Sequence, residues 1–341
     1  MNTNTSRISY TLLAAPYQLN IWFGSFLWIA GNISSIGNMM VFCSRSFRNR
    51  AYSIYLLSKS MTDFVYFNFV LLTRILEKGF GIPINNRYDI MCKFRQFVSL
   101  WCNQVSFTLF AFATVDRLLS TQRSNKYRRW SNRISLAYKL SITCLFIWFL
   151  LIGHRLILYS IRNGICVGLP GVYADYDIYF EVIFAGMCPP IVMFVLAYLL
   201  IRNVRNVIQR RIVPKNNISF ITITNRPTLQ QLDSQLTLML ILQSIITIIT
   251  YVPHAVELTY TNLSKNWSKS CLQMAEEQVF IDFVHLLSYI FFVSSFYISI
   301  ISNSGFRRHI KESFRRKKTN NSTRTTHAII RTDAAVIIQR K

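Results

Sequence analysis

Residues 178–201 read IYFEVIFAGMCPPIVMFVLAYLLI, with one acid near the start and Arg202 immediately after the end. A helix rises 1.5 Å per residue, so about 20 apolar residues cross a hydrocarbon core of about 30 Å. This run is long enough. Cys188-Pro189-Pro190 in its middle agrees with a membrane setting. A soluble helix seldom keeps a proline pair, whereas inside a bilayer neighbouring groups satisfy the freed carbonyls. Working outward, further apolar runs of similar length lie at about 20–43, 53–76, 97–115, 140–159, 236–256, where Pro253 interrupts, and 279–301.

Composition agrees. Of 341 residues, 52% are hydrophobic and only 15% charged, below the charge content of an ordinary soluble domain. The net charge of +24 raises a nucleic-acid partner, but the basic residues fall between the apolar runs, so no nucleic acid is expected. Their placement sets orientation instead. Arg45, Arg48 and Arg50 follow the first run, and Arg123, Lys126, Arg128, Arg129 and Arg133 the third. Arg205, Arg210, Arg211, Lys215 and Arg226 follow the fifth. The positive-inside rule puts these in the cytoplasm. The tail joins them with Arg307, Arg308, Lys311 and Arg315-Arg316-Lys317-Lys318.

The expected fold is therefore an all-α bundle of seven transmembrane helices with an extracellular amino terminus and a cytoplasmic carboxyl terminus. Its parts are an outer segment at 1–19, the bundle at 20–303, a juxtamembrane helix at 304–318 and a flexible basic tail at 319–341. Phe306, Ile310 and Phe314 recur every four residues among basic neighbours, which predicts a helix lying flat on anionic inner-leaflet lipid. Asn4 in Asn4-Thr5-Ser6 is a candidate glycosylation acceptor on the outside, as are Asn262 and Asn266.

Enzyme chemistry finds no support. There is no phosphate-binding loop and no helix-borne His-Glu-x-x-His, and His154, His254 and His285 fall on separate helices, which gives no metal motif. The seven cysteines contain no Cys-x-x-Cys pair. A transporter would show internal repeats, and none is visible. The first twenty residues lack an apolar core followed by a cleavage signal, so the first span is expected to direct insertion.

Polar residues within the runs are the informative departures, because a charge inside a membrane is costly unless it faces a polar interior. Asp63 is the clearest. Two readings stay open: a cation site in which Asn38 and Ser106 supply further oxygen ligands, with sodium as a modulator, or a buried carboxylate hydrogen-bonded to those neighbours. Asp116-Arg117 ends the third run. The pair either anchors a helix end or acts as a latch whose guanidinium can turn to an entering protein.

In order and spacing these features resemble the rhodopsin-like family of G-protein-coupled receptors, from about Asn20 through the basic segment after Phe306. Gly37-Asn38-Met39-Met40-Val41 is similar to the family's first-helix signature. Asp63 in Leu57-Ser58-Lys59-Ser60-Met61-Thr62-Asp63 is similar to its second-helix aspartate, and Asp116-Arg117-Leu118 matches the first two positions of Asp-Arg-Tyr. Pro190 and Tyr198 resemble the fifth-helix proline and tyrosine, and Thr250-Tyr251-Val252-Pro253 keeps the sixth-helix proline with tyrosine for tryptophan. In the seventh run Ser295-Phe296-Tyr297-Ile298-Ser299 stands where Asn-Pro-x-x-Tyr is usual, and Ser295 alone remains as a polar partner for Asp63.

What the resemblance implies is a plasma-membrane receptor that binds an extracellular ligand and activates a heterotrimeric G protein. An orphan or non-signalling receptor-like protein is the alternative. It also implies a disulfide between Cys92 and Cys166, coupling through Asp116, Arg117 and Tyr198, and hinges at Pro190, Tyr251 and Pro253. Ser99 occupies the position where amine receptors of the family hold an aspartate, and no lysine lies in the seventh run, so amines and retinal are disfavoured. Acids at the outer mouth, Asp175, Asp177, Glu181, Glu257 and Glu276, with Tyr251 and His254 deeper, suggest a cationic neuropeptide.

Overall fold

A computed structural model describes residues 3–44, 47–48, 50–120, 122, 131, 133–212, 227–302 and 307. Its long helices are α1 (Thr3–Phe42), α2 (Ala51–Val65), α3 (Asp89–Ser120), α4 (Ile134–Ile152), α5 (Cys188–Ile212), α6 (Pro227–Leu263), α7 (Cys271–Ser288) and α8 (Ile290–Ser302). Among the described residues, six helices are long and apolar enough to cross a membrane, at Leu12–Phe42, Asp89–Ser120, Ile134–Leu158, Val172–Arg205, Gln235–Leu263 and Cys271–Ser302. By that measure the chain is a multi-pass membrane protein. The run expected at 53–76 is also helical, from α2 through π turns at Tyr66–Leu71 and Ile75–Gly79. Lys59, Asp63 and Arg74 make it too polar for that count, and all three are buried in the bundle.

Local chemistry explains the irregularities. Pro189 and Pro190 lack the N–H that would close the preceding turn, and the chain winds as a π helix over Val182–Met187 just before them. Between α7 and α8 the helix breaks at Tyr289 without a proline. There the Ser288 hydroxyl bonds back to the His285 carbonyl at 2.7 Å, and Tyr289 N–H reaches Leu286 O at 3.2 Å. Such back-bonding competes with the main-chain ladder and bends helices.

One element corrects the all-α expectation. β1 (Tyr159–Arg162) and β2 (Ile165–Gly168) pair antiparallel, with Ile161 opposite Cys166. Asn163 and Gly164 turn the hairpin at φ 51° and 75°. Positive φ at both central residues is what a tight hairpin turn demands, and Asn-Gly supplies it at little cost. The hairpin is fastened to the start of α3. Cys166 is disulfide-bonded to Cys92, Ile161 N–H donates to Asp89 Oδ1 at 3.1 Å, and Cys166 N–H donates to Asn86 Oδ1 at 3.1 Å.

The segment drawn as separate at 1–19 is helical from Thr3 and continuous with α1, with Pro16 inside it. The expected juxtamembrane helix at 304–318, apart from Arg307, lies outside the described residues, and so does the tail at 319–341. Arg45, Arg123, Lys126, Arg128, Arg129, Lys215 and Arg226 also lie outside them. The lipid contact expected of that helix goes with them.

Helix α1 approaches its neighbours through glycines. A Cβ added at Gly31 would come within 2.5 Å of the Phe67 ring, and one at Gly37 would overlap the Phe296 ring. Overpacking of this kind costs about 1–3 kcal/mol. Gly31→Val is therefore expected to lower the thermal unfolding midpoint in detergent micelles, while Ile33→Ala, at an exposed position of the same helix, leaves it nearly unchanged. Equal midpoints for Gly31→Val and the parent would count against this packing.

Candidate functional site: a polar cavity above a buried ion pair

At the end of the bundle carrying the disulfide, the helices enclose a cavity of about 140 Å³. The second helical run contributes Tyr66 and Arg74, α3 contributes Arg95, Ser99 and Asn103, and α6 and the α7–α8 junction contribute His254, His285 and Tyr289. Arg155 and Glu181 close one side. Arg74 is matched: its Nη2 donates to Asp282 Oδ1 at 2.6 Å and its Nε to Asn20 at 3.2 Å. Arg155 is matched twice, to Asp177 at 2.8 Å and Glu181 at 2.8 Å. Tyr159 donates to Asp177 Oδ2 at 2.6 Å, and burial, reinforced by that carboxylate, pushes its phenol pKa up. Arg95 is different. Its Nε donates to Thr73 at 3.0 Å, and among the described residues no carboxylate lies within ion-pair distance of it.

The acids expected to draw a cationic peptide are thus disposed otherwise. Asp177 and Glu181 are bound by Arg155, Asp175 and Glu276 are exposed, and only Glu257 among the five is buried without a Lys or Arg partner. Arginine is the component that sequence reasoning missed. Arg74, Arg95 and Arg155 lie near the ends of apolar runs, where a basic residue reads as a flank, and their partners come from other helices.

Below the cavity lies an aromatic floor. The Tyr251 hydroxyl donates to Asn103 Oδ1 at 3.0 Å, and its ring meets Phe107 edge-on at 4.5 Å. Phe107 stacks on Phe291 at 4.3 Å. Lys59 Nζ lies 4.6 Å from the Phe291 ring centre, a cation–π contact. No family model matches the chain, and no curated protein matches it.

Under that floor Lys59 Nζ meets Asp63 Oδ2 at 2.6 Å, with the side chains 1% and 3% exposed. Ser106 donates to the other carboxylate oxygen, which ties α3 to α2. Asn38 is not on the carboxylate; its amide donates to Ser295 Oγ at 3.1 Å. Of the cluster expected around Asp63, the structure brings Ser106 to it and pairs Asn38 with Ser295. These residues do not fit a sodium ion, because the Lys59 ammonium already meets the carboxylate's charge. Lys59 and Asp63 are one helical turn apart, a pairing spacing that was legible in the sequence.

Toward the other end of the bundle Arg117 is buried, with its guanidinium 3.9 Å from the Tyr52 ring centre and 3.7 Å from Asp116. Ser131 donates to the Asp116 carbonyl at 2.9 Å. Tyr198 does not join this group and is 57% exposed. Pro253 lies inside α6 two residues beyond Tyr251. Pro190 opens α5 next to the π turn. The Asn4 side chain lies outside the described residues.

A buried ion pair is strongly destabilised by removal of one partner, at about 3–5 kcal/mol, because the other charge is left uncompensated. Asp63→Asn and Lys59→Met are each expected to lower the unfolding midpoint, and the double variant to lose clearly less than the two single losses added together. Additive losses in micelles would show that the two charges are not coupled.

Proposed function

We propose that the chain is a cell-surface receptor of the rhodopsin-like G-protein-coupled class, with seven crossings and an outer amino terminus. Ligand in the cavity would favour a state that opens a cleft for a heterotrimeric G protein at the opposite end. The observation that carries this reading is the run of packed side chains from Asn103 through Tyr251, Phe107 and Phe291 to the Lys59–Asp63 pair. Arg117 is laid over Tyr52 about two turns further along α2. Seven crossings are supported by the second run, which is helical with its charges buried. The outer placement of the cavity is supported by the Cys92–Cys166 bond at that end, since disulfides form and persist outside the cytoplasm.

The unmatched Arg95 favours a ligand that carries an anionic group over the cationic peptide that the mouth acids suggested. On binding, the inner end of α6 swings outward about Pro253, and a G protein stabilises the open state by binding it better than the closed one. A receptor-like protein that does not signal is the competing reading, favoured by Tyr198 standing apart from Arg117.

The test is expression at a cell surface with G-protein dissociation as readout, challenged with panels of acidic and of cationic peptides. Acidic members are expected to trigger dissociation. Arg95→Ala should weaken their potency at least about tenfold, the scale of one charged hydrogen bond, and Arg117→Ala should abolish dissociation at equal surface expression. Binding without dissociation would favour the non-signalling reading, and a response to cationic members alone would remove the role given to Arg95.

A further inference from the structure

Two imidazoles on the cavity wall, His254 and His285, converge with the carboxylate of Glu257. His254 and Glu257 are three residues apart on α6, hence on one face, and His285 reaches across from α7. Their donor atoms all lie within 4.8 Å of one another. His254 Nδ1 is 3.3 Å from Glu257 Oε2, and His285 Nε2 is 3.9 Å from that same oxygen. The two histidine rings meet at 71°, so they do not stack.

Hydrogen bonding leaves this group incomplete. His254 Nδ1 and Glu257 Oε2 are both buried without a hydrogen-bond partner, although only 3.3 Å separates them. Their side chains are 7% and 3% exposed. Buried polar atoms are ordinarily satisfied, and each exception calls for a cause. The other carboxylate oxygen is engaged, since Thr261 Oγ1 donates to Glu257 Oε1 at 3.3 Å, which turns Oε2 toward the imidazoles. Outer contacts of this kind orient metal ligands. We propose that His254, Glu257 and His285 bind a divalent transition metal, with zinc the best match, and leave a fourth coordination position open to the cavity.

Donor chemistry and spacing both favour zinc. Two imidazole nitrogens and one carboxylate oxygen form a borderline donor set, and three protein ligands with one open position is the arrangement of an accessible zinc site. Zinc–ligand bonds of about 2.0–2.1 Å at tetrahedral angles place donors roughly 3.3 Å apart. The 3.3 Å pair already meets this, while His285 lies 3.9 Å from the carboxylate oxygen in a trio spread over as much as 4.8 Å, so its imidazole, with 30% of the side chain exposed, has to move inward by about an ångström. Of the cations facing the site, Arg74 is neutralised by Asp282 and Lys78 is exposed at the surface. Arg95 would share with the metal the attraction of an anionic ligand. Metal binding itself does not depend on the receptor reading.

The experiment uses the full chain in detergent micelles, stripped with a chelator and dialysed against zinc chloride or cobalt chloride. One zinc per chain is expected, with a rise in unfolding midpoint that follows zinc concentration. Cobalt should give the visible bands of a tetrahedral site. His254→Ala, His285→Ala and Glu257→Gln should each weaken zinc binding at least about tenfold. His285→Cys should retain it and add a thiolate-to-cobalt absorption, which reports the ligand even if an alanine variant folds poorly. No saturable zinc binding to the parent chain overturns the proposal. So does binding that persists in the His254→Ala/His285→Ala double variant, which would mark an adventitious ion only, or a cobalt complex of His285→Cys without the thiolate band.

Discussion

Lys59 and Asp63 place two opposite charges in the middle of a bundle whose outer surface is built for lipid, and much of the interior is arranged around that fact. Neither charge tolerates such burial alone, since moving a single ion out of water carries a penalty of several kcal/mol even after relaxation. The pair is held at 2.6 Å. Ser106 from α3 occupies the second carboxylate oxygen, and Phe291 and Phe292 from α8 lie over the ammonium at 4.6 and 5.6 Å. Three helices are thereby committed to one another by electrostatics, which lipid does not screen as water would. Apolar packing alone is a weak guide in a membrane, where hydrocarbon tails are as good a neighbour as leucine.

The cavity and the ion pair share their walls. Asn103 lines the cavity and accepts from Tyr251, whose ring abuts Phe107 and Phe291, and Phe291 in turn carries Lys59. Close-packed aromatic rings do not deform continuously, so displacement of Tyr251 is passed on as a change of packing.

Most of the helical framework was legible because lipid imposes a length and a polarity that composition reports directly. The apolar runs are helical over nearly all their length, including the one whose charges are buried, and depart from helix mainly at ends such as Cys43 and Tyr159. The hairpin was missed although Asn163-Gly164 is its strongest local signal, because the flanking strands are only four residues each. Lys59 lies one helical turn before Asp63, a spacing that marks a pairing partner, whereas the partners expected from the sequence were the more distant Asn38, Ser106 and Ser295. The matching of Arg155 to Asp177 and Glu181 crosses elements and has no local signature. For the same reason His254-x-x-Glu257 could be seen on one helix, while the approach of His285 could not.

The break between α7 and α8 differs in kind from one made by proline. A proline lacks its N–H covalently, so a helix bent there can never recover the missing bond. At Ser288 and Tyr289 every backbone donor is present, and the bend is held by a hydroxyl that borrows the His285 carbonyl at 2.7 Å. The donor that would close the ladder on that carbonyl, Tyr289 N–H, is present and bonds to Leu286 O instead. Ser288 and Tyr289 also line the cavity, so the residues at this break face whatever the cavity holds. What shapes the chain here is a hydrogen bond, which can be broken and remade, in place of a covalent absence.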